Sequence, residues 1–523
     1  MLCHDKDARS GPGATEAAWR PDRELEAGDR FGYTAVTLIS SDNANGGGNM
    51  RLVLCTTILL WGSGAARAET PATTAAEAVN DRRPNVLFLL SDDQRRDTIR
   101  MHANWHIHTP NLDRLVSEGT SFTRAYCMGS LQGAVCAPSR AMLLTGRTLF
   151  RATRRTPHKL LPEAFREAGY ATFGTGKWHH SKESFARSFS DGGAIFFGGM
   201  SDHDKVPIHD HDPDGTYDAA PRRGGKFSSE LFAEATIDFL RRHADGDPRK
   251  PFFAYVSFTA PHDPRTPPAE FAGMYDASKL PLPPNYLPTH PFDNGEMKIR
   301  DERLAPWPRT PEIVRAHLAA YYGMISHMDA QIGRILDVLE ETGERDNTII
   351  VFTSDHGLAV GSHGLLGKQN VYEHSMGTPL IIGGPGLPRR QKTDAFAYLF
   401  DLYPTLCELT DIDVPDSVEG TSLVGILRGT EQQVRDRVFT AYKVQRAIRT
   451  ERWKLIRYTH SGKTQLFDLA VDGFERNNLA DEPEQQERVA RLLQLLAAEQ
   501  RRLGDDTPLG DDVALPPGEA GSR

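Results

Sequence analysis

The sequence predicts an α/β fold: a large, mostly parallel sheet sandwiched by helices, with a smaller C-terminal α+β subdomain. Three observations lead there. Short apolar runs alternate with helical patterns from Pro84 onward, four of those runs lead into ionisable groups, and beyond about Asp401 the pattern changes to closely spaced strand-like segments. Strands that alternate with helices pair in parallel and are covered on both faces.

The elements follow in order. Asn85–Leu90 (NVLFLL), Ala171–Phe173 (ATF), Phe252–Phe258 (FFAYVSF), Thr348–Thr353 (TIIVFT) and Thr378–Ile382 (TPLII) read as buried strands, being short, apolar and non-periodic. Between them Thr109–Glu118, Leu161–Ala168, Ser228–His243 and Ile313–Glu341 read as helices. Residues 190–225 and 260–310, rich in Pro, Gly, Asp and His, read as long surface excursions. Within the first, 200–215 (MSDHDKVPIHDHDPDG) is a pocket wall, a weak metal binder or simply a solvated loop. After Asp401, Val438–Tyr442, Ala447–Arg449, Trp453–Tyr458 and Gln465–Leu469 read as antiparallel strands, and Pro483–Leu503 as a closing helix with its proline in the first turn. We therefore divide the chain into a main domain at 84–400, the C-terminal subdomain at 401–503 and a flexible tail at 504–523.

The N-terminal stretch has a different character. Met50-Arg51, the apolar Leu52–Leu60 and an Ala-x-Ala ending at Ala68 form a secretory leader over 50–68, cleaved after Ala68. Translation is then expected to begin at Met50, with 1–49 a non-native upstream extension and 69–83 an Ala/Thr-rich linker. The product is expected in the periplasm or outside the cell, with no transmembrane anchor. A net charge of −9, with 25% charged residues, argues against a nucleic-acid or anionic-membrane partner. It leaves room for an anionic substrate in a local basic pocket. Beyond the leader only Cys127, Cys136 and Cys407 remain, which is no disulfide framework. Pairing of Cys127 with Cys407 stays open.

Ligands of open α/β sheets gather at strand carboxyl ends. Here one strand ends in Ser91-Asp92-Asp93-Gln94, the next leads through Gly174-Thr175-Gly176 to Lys177-Trp178-His179-His180, a third ends in Thr259-Ala260-Pro261-His262, and a fourth in Ser354-Asp355-His356. Any one could be a solvated loop; four together imply a shared site. Asp92, Asp93 and Asp355 would repel one another unless a cation holds them, and His356 adds a nitrogen. The alternative is that Asp92-Asp93 merely caps the following helix. Residues 136–147 (CAPSRAMLLTGR) read as a helix opened by a thiol, with Pro138 in its first turn and Gly146 as its stop. Its N-terminus and the Arg140 donor fork suit an oxyanion.

That twelve-residue string resembles the type I sulfatase signature C-x-P-S-R-x-x-x-L-T-G-R at every fixed position. The resemblance extends from about Pro84 to Ala480, including Glu451-Arg452-Trp453-Lys454 and Phe467-Asp468-Leu469. It implies the alkaline-phosphatase-like fold, hydrolysis of sulfate esters, and conversion of Cys136 to formylglycine by a maturation enzyme. It further implies that Asp92, Asp93, Asp355 and His356 bind calcium, with magnesium or manganese as alternatives because His356 brings nitrogen; zinc is not excluded. Arg140, Lys177, His262 and Lys368 match groups that bind the sulfate, and His179 a further group of the site. In the implied chemistry the hydrated aldehyde attacks sulfur. His262 or Lys368 then protonates the departing alcohol, and His179 releases sulfate from the covalent intermediate. Three other readings stay open: a phosphonate monoester or phosphodiester hydrolase of the same superfamily, a non-catalytic binder of sulfated glycan, and a thiol-dependent hydrolase. The substrate expected is a sulfated sugar or glycan, and oligomeric state is not legible.

Overall fold

The computed structural model describes residues 82–152, 158–247 and 249–510. The leader, the stretch before it, nearly all of the 69–83 linker and the tail beyond residue 510 lie outside the described residues.

The strands, in chain order, are β1 (Asn85–Ser91), β2 (Thr120–Tyr126), β3 (Gly129–Ser130), β4 (Ala171–Lys177), β5 (Asp191–Phe196), β6 (Pro207–Ile208), β7 (Arg222–Arg223) and β8 (Phe252–Ser257). They continue with β9 (Thr348–Ser354), β10 (Gly377–Gly383), β11 (Gln391–Tyr398), β12 (Arg437–Tyr442), β13 (Gln445–Thr450), β14 (Trp453–Tyr458) and β15 (Lys463–Asp468). Eight of them form one sheet in the order β11-β2-β10-β9-β1-β8-β4-β5. Only β10 runs against its neighbours; the remaining pairs are parallel.

The pleat explains why the central strands are continuously apolar. Val86, Phe88 and Leu90 of β1 enter one core, with Met142 and Leu143 of the Cys136–Thr145 helix, Phe165 and Leu406. Leu87 and Leu89 enter another, with Leu112, Phe232, Ile332 and Leu336 from three helices on the opposite face. β8 and β9 divide in the same way: Phe253, Tyr255, Ile349 and Val351 lie on one side, and Ala254, Val256, Ile350 and Phe352 on the other. Each fully buried large side chain contributes about 2 kcal/mol.

The C-terminal strands form an antiparallel meander, β12-β13-β14-β15, close to the four expected segments. Its fifth strand comes from far upstream, because β3 pairs in parallel with β12. The helix Gln486–Leu503 packs Leu492 and Leu496 into the same core as Leu455 and Leu466 and ends at Gly504 in the left-handed region.

Two features depart from the sequence reading, and the open question of a Cys127–Cys407 pair is answered. β4 continues four residues past Phe173, through two glycines. A Cβ at Gly174 would strike the Phe185 and Phe189 rings, and one at Gly176 would strike the Ser257 carbonyl, so close packing selects glycine inside a strand. The excursion 190–225 contributes β5 to the large sheet. Its residue His203 is buried, unlike exposed Asp202, Asp204 and Lys205 beside it. Cys127 and Cys407 are both buried free thiols.

Candidate active site

The four strands whose ends carry the expected groups lie side by side as β9-β1-β8-β4, all parallel, so their carboxyl ends share one edge. Register keeps them level, with Ser91 opposite Ser354 and Leu90 opposite Ser257. Asp93 then turns into the left-handed region at φ 70°. An aspartate tolerates that conformation better than a branched residue. There its N–H donates to Asp355 Oδ1 at 3.1 Å. Gly357 must follow His356, because a Cβ would collide with the His374 carbonyl.

All ten sequence-selected residues converge at this edge. Cys136 Sγ lies 3.2 Å from His356 Nε2, 3.4 Å from Lys368 Nζ and 3.7 Å from Asp93 Oδ1. Lys368 Nζ donates to both Asp93 oxygens at 2.8 Å, and Lys177 Nζ donates to Asp92 Oδ2. Arg140 is fully buried. Its Nε donates to Asp355 Oδ2 at 3.0 Å, and Nη1 donates to the Lys177 carbonyl at 2.7 Å and to Ser257. His262 Nε2 lies 3.9 Å from Asp93 Oδ2, while Nδ1 donates to the Asp263 carbonyl at 2.7 Å. His179 lines the same cavity from a left-handed position at φ 60°, so the chain turns there instead of running extended from Lys177.

Burial sets the electrostatics. It pushes the Asp92 carboxyl up, but Lys177, His262 and Arg140 outweigh it and hold Asp92 well below the usual carboxylate range. Asp93 is also lowered, as His262, Lys368 and His356 outweigh the upward push of burial. Asp355 is pushed up by burial and then by Asp92. Burial drives the Cys136 thiol well above its ordinary value, with Asp92 adding to it, so this cysteine is no ready thiolate. Burial, then Lys177, lowers His179 to about 3.

The donor set fits a cation. Ligand atoms of Asp92, Cys136, Asp355 and His356 lie within 4.8 Å of one another, as do those of Asp92, Asp93, Cys136 and His262. Asp92 Oδ1 and both amide atoms of Gln94 are buried without a hydrogen-bond partner. His356 donates Nδ1–H to the Gly357 carbonyl at 2.9 Å. Its Nε2 then faces Asp93 Oδ1 at 3.2 Å and Asp355 Oδ1 at 3.6 Å, acceptor against acceptor, an arrangement that a cation satisfies.

A cavity of about 350 Å3 opens from Cys136, His179, His262 and Lys368 toward Met200, Ile299, Arg300, Asp301 and Gln369. Of that outer wall, sequence reasoning had only Met200, which opens the 200–215 segment read as one candidate pocket wall. Asp263 and Gln369 are the next residues after His262 and Lys368, which was the available signal. Arg300 and Asp301 stand at the start of a short 3-10 helix, Asp301–Leu304, with no sequence pattern to mark them.

An α/β protein with a buried cluster of acids, lysines and histidine around a cysteine, at the carboxyl edge of its sheet, is the class this site defines. Comparison with known proteins narrows it. The Sulfatase family model matches residues 84–412, and the model for the N-sulphoglucosamine sulphohydrolase C-terminal region matches 361–502. The chain belongs to the sulfatase family and is a sulfuric ester hydrolase of the alkaline-phosphatase-like fold. An arylsulfatase of Clostridium perfringens is 30% identical, over 80% of this chain and 94% of the relative. An N-acetylglucosamine-6-O-sulfatase of Bacteroides thetaiotaomicron is 27% identical, over 83% and 89%. A solved structure of a protein in complex with its substrate, D-glucosamine-2-N,6-O-disulfate, matches with TM-score 0.70 and 24% identity. That match covers 82% of this chain and 100% of that one and speaks for the fold.

Proposed function

We propose that the protein is an exported sulfatase that releases sulfate from a sulfated sugar, using formylglycine made from Cys136 and a divalent cation held by Asp92, Asp93, Asp355 and His356. One observation carries this reading: the Cys136 side chain stands at the cavity floor, between the acid cluster and Lys368. The hydrated aldehyde supplies a nucleophile with a second hydroxyl, and the cation lowers its proton affinity and offsets sulfuryl charge. Calcium, magnesium and manganese all suit carboxylate oxygens, and the His356 nitrogen shifts the balance toward manganese.

The chain's own residues do the rest. Lys177 and Lys368, which donate to Asp92 and Asp93 in the structure, are the cations we assign to the sulfuryl oxygens. Arg140 acts through others: it fixes the Asp355 carboxylate and the Lys177 carbonyl. The Nδ1 bond to Asp263 fixes the His262 ring, and we assign the proton for the leaving alcohol to His262 Nε2, acting as the imidazolium, or to the Lys368 ammonium. His179, lowered to about 3 by burial and then Lys177, is neutral at working pH and accepts the proton that expels sulfate. Cys136 is buried in the folded chain, so its maturation enzyme must act before folding. The leader at 50–68 supports export, and no helix among the described residues is long and apolar enough to cross a membrane. The sugar assignment leans on the relative named for N-acetylglucosamine-6-O-sulfate.

The test is mass spectrometry of the peptide around Cys136 together with assay of liberated inorganic sulfate. A peptide lighter than the cysteine form, with activity lost in Cys136→Ala, supports the reading. Full activity from the unmodified thiol overturns it.

A further inference from the structure

The outer wall of the cavity says what kind of alcohol the sulfate is attached to; this rests on the sulfatase reading. A hydrogen-bonded chain links Arg300, Asp301 and Gln369 of that wall, and Asp263, outside the cavity lining, joins it through Arg300. Arg300 Nη1 and Nη2 grip Asp263 Oδ2 and Oδ1 at 2.6 and 3.0 Å. Its Nε donates to Asp301 Oδ1 at 3.0 Å, Nη2 reaches the same oxygen at 2.8 Å, and Nη1 meets Met200 Sδ at 2.8 Å. A guanidinium has five N–H donors. Nε and both Nη groups are thus engaged by the protein's own groups.

Acceptors remain. Asp301 Oδ2 receives Gln369 Nε2 at 2.8 Å, and a carboxylate oxygen takes about two hydrogen bonds. Asp301 is buried, lines the cavity and keeps acceptor capacity facing it. Asp263 is held ionised, since His262 and Arg300 outweigh the upward push of burial. Asp263 and Asp301 against one guanidinium leave this hydrogen-bonded chain net negative, beside the cationic floor around Lys368. The space, about 350 Å3, lies near the lower end for ligand sites.

We propose that Asp301 is the specificity-determining residue for the alcohol half of the substrate. It accepts a hydrogen bond from a hydroxyl or ammonium donor of a single sugar ring next to the sulfate ester, and it excludes a second sulfate or carboxylate at that position. Like charges a few ångströms apart at a partly solvated site cost more than a tenfold factor.

The experiment uses the matured full chain. The best substrate among glucose, galactose and N-acetylglucosamine monosulfates is compared, by kcat/KM, with the same sugar carrying a second sulfate on the neighbouring carbon. An aryl sulfate serves as the donor-free control. The monosulfate is expected to lead the disulfate by at least about tenfold. Asp301→Asn should shrink that ratio, and Arg300→Gln, which removes the compensating charge, should widen it. A general loss of folding does not move the ratio in opposite directions. A disulfate turned over as fast as the monosulfate, or a ratio unmoved by both variants, overturns the inference. So does hydrolysis of the aryl sulfate with no sugar sulfate cleaved. If the aryl sulfate is inert as well, the sulfatase reading itself has failed.

Discussion

Glu373→Gln tests what clamps the C-terminal sheet to the catalytic sheet. Glu373 is buried just before β10, and its carboxylate ties together residues from distant parts of the chain. Oε1 receives Lys454 Nζ of β14 at 3.0 Å; Oε2 receives Tyr126 Oη of β2 at 2.7 Å and Arg96 Nη1 at 3.0 Å. Lys454 also bonds Glu475 at 2.7 Å, and Glu475 accepts the Glu373 N–H at 2.8 Å. Breaking a buried ion pair costs about 3–5 kcal/mol. Here Lys454 keeps Glu475 and glutamine keeps an acceptor for Tyr126, so we expect a loss of about 2–3 kcal/mol near neutral pH.

The pH dependence gives that figure a sign. Burial pushes the Glu373 carboxyl up, but Lys454 and Arg96 hold it well below its ordinary value. A depressed folded value means that its stabilisation is present above about pH 4.5 and is lost as pH falls toward the folded value. Glu475 is raised, by burial first and with Glu373 adding to it against Lys454, so its contribution runs the opposite way and fades as pH rises. Thermal unfolding of the wild type and Glu373→Gln from pH 7 to pH 3 is the assay. The gap in Tm should be widest near neutrality and narrow progressively as pH falls below about 4.5. A constant gap across that range, or no gap at pH 7, would refute the clamp.

Two further outcomes follow. A divalent cation should raise the Tm of chelator-stripped protein in a concentration-dependent way, and Asp92→Asn should lose most of that shift; an equal shift in both would remove Asp92 from the ligand set. His203 is buried, with Nε2 donating to the His262 carbonyl at 2.9 Å and Nδ1 within 3.0 Å of Ser228 Oγ and 3.1 Å of Thr259 Oγ1. As a positioning residue for His262 it should tolerate His203→Gln, which restores the donor, while His203→Leu should lose about 10–100-fold in kcat with KM little changed, since leaving-group protonation supplies factors of that order or larger. Equal kcat in the two variants would deny it that role.

How much of this could be read from the chain depended on whether the information was local. The central strands were legible because both faces are buried and the apolar runs are continuous, and the site was legible because ionisable groups stand at their ends. β2 (TSFTRAY) and β11 (QKTDAFAY) were not, since their polar residues mask a pairing decided by distant partners. The end of β4 was hidden by glycines whose reason lies in the Phe185 and Phe189 rings and Ser257. Arg140 was legible as an anion fork, but its nearest anion is Asp355 of the protein itself, a fact that exists only once β9 and the Cys136 helix meet. His203 was flagged only as part of the His/Asp-rich 200–215 segment, and nothing in that pattern separates it from His209 and His211 until Ser228, Thr259 and His262 close around it.

The charge inventory of the buried floor links these parts into one argument. Asp92, Asp93 and Asp355 face Arg140, Lys177 and Lys368, three carboxylates against three cations, all shielded from water. A set balanced in that way can be buried without an unpaired charge, which explains how so many ionisable groups sit at the end of an apolar sheet. A divalent cation added to the balanced set would make the floor positive by two. A sulfate monoester bears one negative charge, so the floor would remain positive while charge develops on the departing oxygen, where electrostatic stabilisation counts most. The hydrogen-bonded chain of Asp263, Arg300 and Asp301, net negative, completes the polarity. A substrate with its anion inward and its hydroxyl donors outward meets a complementary field along the whole length of the cavity, whereas a molecule with anions at both ends does not.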